Sequence, residues 1–141
     1  MKQNYVWLLL ASQRYGEFYC FGCSVRLPIV VASKAKAIEL SSRLSNHCPI
    51  GIVSIYRLPI QSPRDRVYVV LAETHGRYNC RCNCTVSDCG CKPCDGGRYA
   101  LPYVFKSNVD AATYTTNLVA QHERCLIPVP KTKTLLLTVS V

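Results

Sequence analysis

Cys80, Cys82, Cys84, Cys89, Cys91 and Cys94 form a C-x-C-x-C-x4-C-x-C-x2-C run, six thiols within fifteen residues of a 141-residue chain. Thiolates are soft ligands that suit zinc, and a stretch of polar residues, Gly and Cys has no apolar side chains with which to build a core. The expectation is a loop whose metal serves as its core. Cys20 and Cys23 add a C-x2-C pair and bring the candidate ligands to eight. Eight thiolates suit two separate tetrahedral, structural zinc ions, at about 2.3 Å per bond, with no bridging sulfurs. The alternatives are a binuclear cluster held by the six loop thiolates alone, a single four-cysteine site with spare thiols, an iron–sulfur cluster, and disulfides. The loop lacks the C-x2-C-x2-C spacing of bacterial ferredoxins, which favours zinc over iron–sulfur. Spacing does not assign individual cysteines to individual ions.

The remaining candidates for chemistry are sparse. Cys48 and Cys125 have no near cysteine partner and read as small buried hydrophobes. His122 and Cys125, three apart, form a ligand pair only if they share a helix face; His75 reads as a turn residue beside the loop, and His47 as the end of a helix, where an imidazole suits the dipole. No nucleophile motif, phosphate-binding glycine loop or dinucleotide fingerprint occurs, so no enzyme activity and no small-molecule substrate are expected.

Composition narrows the setting. A length of 141 residues and an apolar content of 49% suit one packed domain or two very small ones. No window reaches the roughly 18 apolar residues of a membrane span, and the apolar start from Val6 to Ala11 is short for a signal peptide. The expected setting is therefore cytoplasmic, where metal sites are commoner than disulfides. The formal charge of +9 falls to roughly +5 once eight thiolates and two Zn²⁺ are counted at about −4. What remains favours polyanionic partners over acidic ones.

The elements that must position the loop repeat along the chain. LPIVVASKAKAIELSSRL from Leu27 to Leu44 and LPYVFKSNVDAATYTTNL from Leu101 to Leu118 share Leu-Pro, Val, Ser, Ala and Leu at one offset. Upstream, the run from Tyr5 to Ala11 matches the run from Val67 to Ala72 in character, and turns containing Gly16 and Gly76 follow them. Gly51 to Leu58 and Leu135 to Val141 are the last apolar runs. Ser33 and Ser107 are helix N-caps by position, the second with Asp110 in a near capping box. Ala37, Leu40, Ser41 and Leu44, and then Ala111, Tyr114, Thr115 and Leu118, are stripes at helical spacing and read as core. The expected fold class is α+β: two tandem ββαβ units, residues 1–60 and 67–141, joined by a linker at 61–66. A single unit of this size is marginal alone. The pair is expected either as one antiparallel-rich sheet with both helices on one face or as two packed sheets. The second unit carries about thirteen extra residues between its first two strands, so that a metal loop at 78–97 projects from a hairpin tip.

The order of elements and the Ser-capped helix Ser33-Lys34-Ala35-Lys36-Ala37 with Leu44 resemble small bacteriophage-encoded ββαβ domains of unknown function. The resemblance implies the fold and a viral origin, with host cytoplasm or virion as the location, and carries no activity. Two functional expectations follow. The first is a non-enzymatic, zinc-stabilised structural or scaffold protein with protein partners in a larger assembly, such as a virion or ribonucleoprotein particle. The second is DNA or RNA binding through the basic loop: Arg77, Arg81, Lys92 and Arg98 would contact phosphate, and Tyr78 and Tyr99 would stack on unpaired bases.

Overall fold

Both parities of strand β1 (Asn4–Ala11) are apolar, and both are used. Val6, Leu8 and Leu10 enter one cluster, while Leu9, Ala11 and the half-buried Trp7 enter another. Strand β6 (Arg66–Ala72) behaves alike: Val67, Val69 and Leu71 join the first cluster, and Val70 and Ala72 a third. A strand apolar on both faces needs cover on both, so the sheet must have helices outside and further strands opposite.

A computed structural model of the chain describes residues 4–12, 14–22, 24–47, 53–60, 65–73, 76–79, 98–124 and 131–140. After β1 comes a 3-10 turn at Arg14–Gly16, then β2 (Phe18–Cys20), β3 (Val25–Leu27), β4 (Ile29–Val31), helix α1 (Lys34–His47) and β5 (Val53–Ile60). The second half runs β6, β7 (Gly76–Asn79), β8 (Arg98–Leu101), β9 (Tyr103–Phe105), helix α2 (Asn108–Arg124) and β10 (Thr132–Ser140). The fold is thus mixed α+β, as expected. The second strand expected in each unit differs: it is a small hairpin, β2–β3 or β7–β8, followed past a proline by a separate strand. Pro28 and Pro102 stand at those junctions and have no amide hydrogen to continue a ladder. The last strands also begin and end elsewhere than expected, and Arg66, placed in the linker by sequence, is already the first residue of β6, paired with Thr138.

Six strands form one sheet in the order β5-β1-β4-β10-β6-β9. Each half supplies three neighbours, and the halves meet where β4 and β10 pair in parallel, Val30 with Val139 and Val31 with Ser140. The two edge strands, β5 and β9, lie against each other, so the sheet rolls into a near-barrel. Its interior is a single apolar cluster with side chains from all six strands, among them Leu8, Val30, Leu58, Val69, Val104 and Leu137. Both helices lie on the outer face. Of the two arrangements expected, this is the single sheet, rolled up.

Each helix is seated by its stripe. Ala37, Leu40 and Leu44 of α1 are buried against Leu9, Val31 and Leu27. Ala111 and Leu118 of α2 are buried against Val70, Ala72 and Leu101, with Tyr114 packed beside them. Ser33 and Ser107 are the N-caps: the Lys36 amide donates to Ser33 Oγ at 3.2 Å and the Asp110 amide to Ser107 Oγ at 3.1 Å. On the solvent face of α1, Lys36 and Arg43 flank Glu39, and their hydrogen bonds hold its carboxyl below the usual carboxylate range.

One turn closes an end of the near-barrel. Tyr15, at a positive φ of 56°, packs on the interior cluster, and its amide donates to the Glu73 carbonyl at 3.4 Å. Gly16 follows at φ +70°, and a Cβ there would meet Leu10 Cβ at 2.7 Å, so both conformation and space call for glycine.

Candidate functional site

The two small hairpins stand at matching places, each between the first strand of its half and the proline junction. In the first, Phe18 pairs with Leu27, Tyr19 with Arg26 and Cys20 with Val25. In the second, Gly76 pairs with Leu101, Arg77 with Ala100, Tyr78 with Tyr99 and Asn79 with Arg98. The cysteine run thus falls between two paired strands, which the chain leaves at Asn79 and rejoins at Arg98. Four of the six residues expected to contact nucleic acid, Arg77, Tyr78, Arg98 and Tyr99, are brought together in this ladder as backbone positions. Arg81 and Lys92 lie outside the described residues, as do Cys80, Cys82, Cys84, Cys89, Cys91 and Cys94.

Cys23, Cys48, Cys125 and His75 also lie outside the described residues. Cys20, which ends β2, is the one cysteine of the ten within them, and it is disulfide-bonded. A disulfide sulfur is not a thiolate, so Cys20 ligates a metal only after reduction. Among the described residues, no group of three or more His, Cys, Asp or Glu is placed to hold a metal ion.

What the first hairpin does present is aromatic and cationic. Phe21 is 86% exposed and Tyr19 40% exposed, and their rings meet edge to face at 4.6 Å between centroids. The Arg26 guanidinium lies 5.0 Å from the Tyr19 ring centroid, as the cross-strand pairing of these residues allows. Beside them opens a cleft of about 410 Å³, bordered by Tyr19, Arg26, Glu17, Lys133 and Leu135. Lys133 Nζ donates to Glu17 Oε1 at 2.6 Å and sits 5.7 Å from the Tyr15 ring centroid. These residues did not stand out in the sequence, where Phe21 falls inside the C-x2-C pair of Cys20 and Cys23. An aromatic in a turn between two polar or small residues is the signal that was there to find.

No family model, curated protein or solved structure matches the chain. Its chemistry must be read from its own residues. A second hollow, of about 570 Å³, lies between α2 and β10 and is lined by Thr115, Thr116, Val119, Ala120 and Thr134, with Glu123 the one charged group among the described residues. No helix among the described residues is long and apolar enough to cross a membrane.

Proposed function

We propose that the chain is a non-enzymatic structural component of a larger assembly, built from two duplicated ββαβ units, whose cysteine loop is shaped by zinc and docks on protein partners. Support for duplication lies in the recurrence of roles at one offset: Pro28 and Pro102 both stand between a hairpin and the next strand, Ser33 and Ser107 both cap, and Ala37 and Ala111, like Leu44 and Leu118, are fully buried. The observation that carries the functional reading is the pair of hairpins, each placed between the first strand of its half and the proline junction and each with cysteines at its turn end. A rigid core with two displayed loops is the architecture of a docking part, since loops on a fixed scaffold can vary without disturbing it. The loop thiolates of Cys80, Cys82, Cys84, Cys89, Cys91 and Cys94 hold the metal, joined by Cys20 and Cys23 once Cys20 is reduced. A virion or ribonucleoprotein particle, in a host cytoplasm, is the setting that this role and the phage-like order of elements suggest.

Native mass spectrometry of the full chain, purified under reducing conditions, tests the metal. Two zinc ions on the reduced protein are expected, lost on chelation together with the order of the loop. A folded chain free of metal would sink this part of the reading. Size-exclusion chromatography with light scattering tests the assembly, which predicts self-association or co-elution with a protein partner.

A second reading, nucleic-acid binding by the loop, is favoured by the ladder that pairs Tyr78 with Tyr99 and places Arg77 and Arg98 beside them. It predicts affinity for DNA or RNA that falls steeply with salt and on neutralising Arg77, Arg81, Lys92 or Arg98.

A further inference from the structure

We infer that the first hairpin, with no part of the zinc loop, is a stacking platform for single-stranded nucleic acid, formed by Tyr19, Phe21, Arg26 and Lys133. The inference starts from an anomaly of exposure. Phe21 leaves 86% of its surface in water at a hairpin tip and touches Tyr19, which is itself 40% exposed, so two rings meet edge to face at the surface. Exposed aromatics gathered at one spot mark a contact surface. Arg26 then identifies the chemistry. Its guanidinium lies by the Tyr19 ring, and no described carboxylate is within ion-pair distance of it, so it offers both a flat face and an unspent charge.

The Phe21 and Tyr19 rings lie nearly perpendicular, at 79°, with Arg26 over Tyr19, and the open Phe21 ring suits a base that stacks without regard to sequence. The cleft beside them supplies the backbone contacts. Lys133 stands across it from Arg26, and the two cations outnumber the single carboxylate, Glu17, which bonds to Lys133 and leaves two of its ammonium hydrogens for a phosphate. The formal charge of +9 makes approach of a polyanion favourable. A duplex is excluded by the same geometry, because its bases are already stacked and show no face to Phe21. An acidic protein segment would use the cations and leave the rings idle.

The test is fluorescence anisotropy with the full chain and labelled mixed-sequence DNA and RNA strands of about 12 nucleotides, against the same sequences as duplexes. Single strands of one or both kinds should bind at least about tenfold more tightly than duplexes. Phe21→Ala should weaken single-strand binding about tenfold while Phe21→Tyr retains it, since stacking and not the hydroxyl is at work. Arg26→Ala should weaken binding and lower the slope of log affinity against log salt by about one. Phe21 is exposed, so its alanine variant should melt with the parent, which separates lost binding from lost folding. Equal binding of duplex and single strand, or no binding, overturns the inference. So does binding that survives Phe21→Ala and Arg26→Ala but falls with Arg77→Ala, which would place the site on the loop, and so does displacement of the strand by poly-glutamate at equal charge, which would point to an acidic protein partner. The zinc count bears on none of these outcomes.

Discussion

The two helices cover the same face of one sheet, but they do not cover it equally. α1 rests on β1, β4 and β5, all three strands of its half, whereas α2 rests chiefly on β6 and β9 and leaves the hollow along β10. The outer face of β10 accordingly keeps Leu136 at 47% exposed. The inner faces show no such difference: both halves fill the near-barrel with alternate residues of their first strands, Val6, Leu8 and Leu10 against Val67, Val69 and Leu71. The two halves contribute alike to the shared interior and differ in what they carry outside it. The hairpins obey the same division, one short and aromatic, the other extended by residues 80–97.

The largest effect that can break this comparison is truncation of the matched leucines. Leu44 and Leu118 are both fully buried under their helices, and either change to alanine should cost about 2–5 kcal/mol. The cost depends on how well the surroundings collapse. α2, with open space along one flank, can settle into the gap, so Leu118→Ala should fall in the lower part of that range and Leu44→Ala in the upper. Urea unfolding of both variants reads the difference directly, and a greater loss at Leu118 would mean that the hollow does not mark looser packing.

Adding volume sharpens the point in the opposite direction. Ala37 is fully buried beneath α1, and Ala37→Leu should destabilise by about 1–3 kcal/mol through overpacking. Ala120 lines the hollow beside α2, and Ala120→Leu should be neutral or stabilising by up to about 1 kcal/mol, as cavity-filling changes are. If both changes destabilise alike, the hollow is not fillable and the asymmetry of the helices is only apparent. The caps should show the halves as equals: Ser33→Ala and Ser107→Ala each remove one side-chain acceptor at an exposed helix start and should each cost about 1 kcal/mol in thermal unfolding.

Much of this architecture is legible before any coordinates. The continuous apolar runs of β1 and β6 announce strands buried on both faces, Ser33 and Ser107 announce helix starts, and Ala37, Leu44, Ala111 and Leu118 announce the buried stripes. The seam between halves is not legible, because parallel pairing of β4 with β10 engages only short valine-rich ends that any neighbouring strand would satisfy. Nor is the matching place of the last strands. VSIYRLPI and TKTLLLTVS share little, yet register aligns them: Tyr56 faces Leu8 as Leu135 faces Val69, and Leu58 faces Val6 as Leu137 faces Val67. At the candidate sites, the extra residues between the first two strands of the second half mark its hairpin, while the platform on the first was hidden because no spacing rule tells an exposed Phe21 from a buried one.

That register also isolates the subtlest difference between the halves. Tyr56 carries a phenol against the interior where the second half has the hydrocarbon of Leu135. Burial pushes the Tyr56 pKa above its ordinary value, with a hydrogen bond to Ser54 working the other way. The folded protein thus holds this proton more tightly than the unfolded chain, in which a tyrosine titrates near about 10. Below that pH the phenol is neutral in both states and its contribution to stability is intact. As pH rises beyond it, the unfolded chain loses the proton first, and stability drains until the folded state ionises as well. Tyr56→Phe keeps the ring and removes the proton, so chemical denaturation should show parent and variant diverging only above about pH 10, with the variant holding its stability better. Because all other titrating groups are common to both proteins, parallel curves through that range would mean that the Tyr56 hydroxyl reaches water as freely in the folded state as in the unfolded one, and that the interior of the first half is as open at β5 as its exterior.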